Sequence, residues 1–135
     1  MEGVVEGNEA SSFSSVTTLS GHSGGMVLSL DLSIDGAVLV TGGKDKMIQL
    51  WDISTNTLLG SVQAGKYAVT SLKISKDMKY LITGNGDTFV RLWRFSDGSY
   101  LKKYKGHETA VLCCDISPTN NVIASGSDDC TLVSS

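Results

Sequence analysis

Apolar residues in this chain come in short runs, none long enough for a helix that packs through several turns. In the first stretch the runs are 26–32, 37–41, 47–51 and 57–62, each closed by turn-forming residues such as Asp35-Gly36 or Gly42 to Lys46. Four such runs in succession predict an antiparallel four-stranded sheet. The pattern then repeats. Gly42, Gly84 and Gly126 stand 42 residues apart, within the roughly 40 to 45 residues of one propeller-blade unit.

Other positions keep the same register: Asp45, Asp87 and Asp129; Ser33, Ser75 and Ser117; Leu32, Ile74 and Ile116; Trp51 and Trp93. In the first run of each period the apolar step of two, from Leu32 to Leu30, becomes a step of three to Val27. Ile74, Leu72 and Val69, then Ile116, Cys114 and Val111, do the same. One extra residue at a fixed place predicts a β-bulge. Asn85-Gly86 predicts a tight hairpin between the second and third strands of the second period.

The dipeptides Gly21-His22, Trp51-Asp52 and Gly106-His107, set in that period with its turn aspartates, resemble the signatures of the WD40 repeat family. The resemblance covers nearly all of 16–135, in repeats of about 21–62, 64–104 and 106–135, and implies an incomplete all-β propeller of about three antiparallel four-stranded blades. It also implies that 16–19 forms the outer strand of a preceding blade. A polar set then links the strands inside each blade: His22, Thr41, Asp45 and Trp51 in the first, Thr83, Asp87 and Trp93 in the second, and His107, Ser125 and Asp129 in the third. Gly65 stands where the second repeat should have histidine, which predicts an incomplete network there. In the third, Ser134 and Ser135 stand where Leu92 and Trp93 stand in the second. A strand that turns polar at its burial positions suggests a truncated or alternatively spliced product.

Composition narrows the setting. Residues 1–15 are acidic and serine-rich, and they read as a flexible leader with too little apolar surface to offset the entropy of ordering. Glu2, Glu6 and Glu9 account for the net charge of -3; the remainder is balanced, so no nucleic-acid footprint is expected. No apolar run is long enough to span a membrane, and the first residues carry no secretory pattern. The three cysteines, Cys113, Cys114 and Cys130, have no disulfide-framework spacing, which predicts a reducing compartment, the cytoplasm or alternatively the nucleus.

Several motifs offer chemistry. Gly21-His22-Ser23-Gly24-Gly25 fits the nucleophile elbow of a serine hydrolase, with Asp87 and His107 following in the required order. An elbow needs a helix after it, whereas 26–32 is strand-like, so this enzyme is the alternative and not the reading. His107, Ser125 and Asp129 contain the residue types of a second triad, but their counterparts in the other repeats indicate a structural set. Gly60 to Lys66 approaches a P-loop and lacks both the hydroxyl and the helix. Cys114 aligns with Leu30 and Leu72 and reads as core; Cys130 aligns with Lys46 and Thr88 and reads as exposed. Lys102, Lys103 and Lys105 read as charges that protect an outer strand from edge pairing.

No catalytic residue, metal or cofactor is expected. The WD40 resemblance implies partner contacts on the upper face, from residues flanking the first-strand valine and from the one before the turn aspartate. Here these are Met26, Leu28 and Lys44; Ala68, Thr70 and Gly86; Ala110, Leu112 and Asp128. Apolar Met26, Leu28 and Leu112 with Lys44, Thr70 and Asp128 around them predict a site for a protein or peptide. The expected function is a non-catalytic interaction scaffold, within a larger propeller or multiprotein complex, or in a homodimer that closes a six-blade ring.

Overall fold

The structure, a computed structural model, describes residues 17–134, and 17–131 in side-chain detail. Eleven strands are described. They are β1 Val27–Leu32, β2 Val38–Gly43, β3 Met47–Asp52, β4 Thr57–Gln63, β5 Val69–Ile74, β6 Tyr80–Asn85, β7 Phe89–Arg94, β8 Tyr100–Lys105, β9 Val111–Ile116, β10 Ile123–Ser127 and β11 Leu132–Ser134. They form three antiparallel sheets, ordered β1-β2-β3-β4, β5-β6-β7-β8 and, among the described residues, β9-β10-β11. The inner strands are neighbours, with β5 between β1 and β9. The expected outer strand at 16–19 does not form over 17–20, which carry no strand. Such a strand needs a preceding blade to pair with, and β4 already holds the outer edge of this one. Residues 1–16, with the expected leader, lie outside the described residues.

The bulge is present in all three inner strands. Pairing shifts between Val27 and Ser29, between Val69 and Ser71, and between Gly126 and Ser127 opposite β9. The recurring glycine has a packing cause. A Cβ on Gly42 would collide with Val69 of the next blade, and one on Gly84 would come within 2.7 Å of Val111 Cγ1. The first and second blades therefore each rest their second strand directly on the next blade's first-strand valine. The recurring serine also has a role: Ser33 and Ser75 hydroxyls donate to Asp35 and Asp77 and accept the Val38 and Tyr80 amides, closing the turn after the first strand.

Backbone conformation repeats where the sequence does not. Positive φ recurs at Gly36, Met78 and Asn120, at Asn56 and Gly98, and at Lys46 (70°), Thr88 (82°) and Cys130 (70°). The Asn85-Gly86 hairpin is accordingly not a two-residue turn. As in the other blades, a tighter bend is followed by a left-handed residue, here Thr88, a strained place for a β-branched side chain. Asn85 is instead fully buried; it accepts the Thr83 hydroxyl at 3.1 Å.

Two apolar clusters lie at the seams. Val40, Ile48, Ala64, Val69, Leu72, Ile74, Leu81 and Trp93 fill the first, and Ile82, Val90, Val111 and Cys114 the second. Among the described residues the first blade is covered on one side only. Val27, Leu30 and Leu32 are 49, 60 and 52% exposed, whereas Val69, Leu72 and Ile74 at the same register are 0, 1 and 7%. β1 thus carries a finished core face with nothing packed on it among the described residues.

Candidate functional site

The polar set holds each blade together from within. In the first, the Trp51 indole N–H donates to Thr41 Oγ1 at 3.0 Å. His22 places Nε2 2.6 Å from the same hydroxyl and Nδ1 2.8 Å from the Asp45 carboxylate. With Nδ1–H given to the carboxylate, Nε2 accepts the Thr41 proton and the hydroxyl oxygen receives the indole, so His22, Thr41 and the Trp51 N–H are all satisfied. Asp45 also accepts the Met47 amide, fixing the turn. In the third, His107 Nε2 lies 2.9 Å from Ser125 Oγ, and Nδ1 reaches both Asp129 (3.2 Å) and Thr131 (3.1 Å). The Thr131 hydroxyl and the Glu108 amide hold the Asp129 carboxyl well below the usual carboxylate range. Thr131 had no signature in the sequence beyond lying two residues past the turn aspartate.

The second blade is rewired. Arg91 takes the space of the missing histidine: its guanidinium lies 3.7 Å from where a Cβ on Gly65 would be. It binds Asp87 through both carboxylate oxygens, at 2.9 and 2.5 Å. Burial pushes the Asp87 carboxyl up, but the Arg91 hydrogen bonds and charge outweigh it and the group sits below its ordinary value. Trp93 still donates to Thr83, at 3.1 Å, and Thr83 turns its own proton to Asn85. Two satisfied pieces replace one continuous chain.

These commitments dispose of the elbow. Gly21 to Gly25 runs into strand β1 and not a helix, Asp87 is held by Arg91, and His107 by Ser125 and Asp129. No group of three or more His, Cys, Asp or Glu side chains suited to a metal is found among the described residues. No helix there is long and apolar enough to cross a membrane.

At the upper end, the segment before each inner strand is tied to the β2–β3-type turn. The Lys44 amide donates to Met26 O at 2.8 Å, Gly86 to Ala68 O at 3.1 Å, and the Ser127 hydroxyl to Ala110 O at 2.8 Å. The nine upper-face residues therefore gather at one end of the stack. Met26 and Leu112 are 58 and 53% exposed and Leu28 is 37%; Lys44 and Asp128 are exposed as well. Thr70 differs, since its hydroxyl bridges to Gly84 O and, across the seam, to Val111 O. It stitches two blades together. Tyr67, 53% exposed beside Gly86, belongs to the same surface. The lysines of β8 are exposed on the outer edge, Lys103 over the Phe89 ring at 4.4 Å and Lys102 over Tyr104 at 5.0 Å.

Four-stranded antiparallel blades stacked on their inner strands, each pinned by a buried polar set, define this chain as part of a β-propeller. The WD domain, G-beta repeat family matches residues 13–52, 56–94 and 98–133, and the chain belongs to that WD40 family. Among curated proteins no sequence match is found. A solved structure titled "Structure of U3-55K" is similar in fold, with a TM-score of 0.81 at 22% identity, over 86% of this chain and 37% of that one. This chain thus spans well under half the length of that neighbour. WD40 repeats generally serve as interaction scaffolds, and 1112 solved chains match this fold, so the fold alone selects no partner.

Proposed function

We propose that the upper face binds a protein or peptide, with Met26, Leu28 and Leu112 as apolar anchors and Lys44 and Asp128 as a charged rim. Tyr67 adds an aromatic with a polar tip, a residue type favoured at interfaces. The observation that carries this reading is the exposure of Leu112, at 53%, beside the fully buried Val111; Met26, at 58%, flanks Val27, which is itself half exposed on the open face of β1. Thr70 supports the surface from beneath and makes no partner contact in this reading.

The chain works, in this proposal, as part of a larger propeller. The bare β1 face supports it, because its residues match position for position those that β5 buries against the first blade. An intracellular setting, cytoplasm or nucleus, agrees with three unpaired cysteines.

Affinity capture with the wild-type chain, Leu28→Asp, Leu112→Asp and the control Leu101→Asp tests the surface. Leu101 is 37% exposed on the outer strand β8, away from the upper face. A partner lost by both upper-face variants and kept by the control is expected, with β-type circular dichroism unchanged. A partner kept equally by all four removes this surface from consideration.

A further inference from the structure

Charge is sorted by blade. Residues 64–105 hold nine of the chain's eleven Lys and Arg and only three of its fourteen Asp and Glu. Those three are occupied: Asp87 by Arg91, Asp97 by Arg94, and Asp77 by Ser75 and Asn120. The surplus is densest on the outer strand β8, where Lys102, Lys103 and Lys105 fall within one strand. Lys105 donates to His107 O at 3.0 Å and lies 3.9 Å from the Glu108 carboxylate. Lys102 and Lys103 are exposed and take part in no ion pair among the described residues. Their ammonium groups rest over the Tyr104 and Phe89 rings. That contact holds them at the strand edge and leaves their N–H donors for an outside acceptor.

Protection from edge pairing does not by itself account for these lysines. β4 holds the same outer place in the first blade, is equally an edge among the described residues, and carries no charged side chain. An outer strand of this chain is thus not obliged to be basic. Among the described residues β8 pairs with β7 alone, so its other side presents backbone N–H and C=O groups to a further strand. Register fixes where charge would be met. Lys103 and Lys105 pair with Arg91 and Phe89 and share one face, while Lys102 pairs with Leu92 and faces the other way. A strand added antiparallel, starting opposite Lys105, would meet them with acids at its first, third and fourth positions.

We propose that β8 accepts an acidic, extended segment of a partner polypeptide as a fifth strand of the second blade, its carboxylates opposite Lys102, Lys103 and Lys105. The same lysines repel a second β8, so they select the partner as well as attract it. This edge is separate from the upper face and stands or falls without it. The full chain is titrated with the end-capped peptide Glu-Thr-Glu-Glu-Thr-Thr while backbone amide resonances and their hydrogen exchange are followed. Saturable shifts and slowed exchange at the outward amides of residues 100–105 are expected. The matched peptide with Gln for Glu should bind about tenfold more weakly, the effect of three cross-strand charge pairs. Lys102→Glu combined with Lys103→Glu should abolish binding and admit Lys-Thr-Lys-Lys-Thr-Thr instead. Lys73→Glu combined with Lys76→Glu makes the same charge change at exposed positions outside β8 and should leave binding in place. No saturable binding, shifts without slowed exchange, equal binding of a thymidine hexanucleotide, or slowing of the same amides by raised protein concentration alone would each overturn the assignment.

Discussion

Leu30 and Leu72 occupy one position of the repeat and should answer the same substitution very differently. Leu72 is 1% exposed within the first seam, and its Cδ2 lies 3.1 Å from where a Cβ on Gly42 would be. Truncation to alanine there removes close-packed methyl groups and leaves a cavity that Val40, Ile48 and Val69 cannot close. The expected loss is about 3 kcal/mol, inside the roughly 2 to 5 seen for buried leucines. Leu30 is 60% exposed. Full burial of such a side chain is worth about 1.5 to 3 kcal/mol, and under half of that is realised, part of which alanine keeps. Leu30→Ala should therefore cost about 0.5 kcal/mol.

Urea unfolding followed by circular dichroism separates the two, since a difference of over 2 kcal/mol moves the midpoint by about 1 M at an m-value near 2 kcal/mol/M. A midpoint for Leu30→Ala as low as that for Leu72→Ala would refute an open β1 face. A repeat at tenfold higher protein concentration shows how the face becomes covered. If the cost of Leu30→Ala grows with concentration, a second copy is covering it; if it stays small, closure needs other blades.

Other consequences can be checked in the same preparation. A double-mutant cycle on Asp87→Ala and Arg91→Ala should give a coupling of about 1 to 2 kcal/mol, between exposed and buried ion pairs. Because the folded Asp87 carboxyl lies below its unfolded value, that coupling should be complete above about pH 4 and fade as pH falls through the folded value; a coupling unchanged at pH 2 would contradict the pairing. Met78, at φ 61°, should gain about 0.5 to 1 kcal/mol on replacement by glycine, as relief of left-handed strain exceeds glycine's entropy cost. Gly36→Ala, at the matching turn, should lose about 1 kcal/mol. Burial pushes the Cys114 thiol up to about 11, so a thiol reagent at pH 8 should modify Cys113 and Cys130 promptly and Cys114 only after denaturant is added. Three equally fast thiols would place Cys114 outside the core.

The strands and their bulge were legible because period and alternation are local properties, and Leu32, Leu30 and Val27 carry the irregular step openly. The polar set was legible as residue types, and the structure joins His22, Thr41, Asp45 and Trp51 directly. What escaped depends on which groups meet across space. Arg91 lies where strand alternation gives no reason to look toward Gly65, and only packing shows that its side chain is long enough to reach the empty place. Thr70 was grouped with Leu28 and Leu112 by register, but its hydroxyl finds carbonyls that leucine cannot use. The contrast between Leu30 and Leu72 does not lie in their own pattern, since identical patterns become surface or core according to what stands beside them; an incomplete set of blades implies only that an end face is left open.

That contrast bears on how the repeat tolerates change. The left-handed turn at Thr88 and the close approach at Gly84 belong to the second blade despite its lost histidine, so backbone form is set by more than the polar set. Seam contacts can supply the difference: Val69 and Leu72 rest on the first blade, while Val111 rests on Gly84. A blade covered on both sides can then exchange His for Arg at the network, because Asp87 keeps a partner and neither seam moves. The first blade has one covered seam among the described residues and retains the full set of His22, Thr41, Asp45 and Trp51. The stability of each blade is thus a sum of its internal network and its two neighbours, and a loss in one term is borne where the other is strongest.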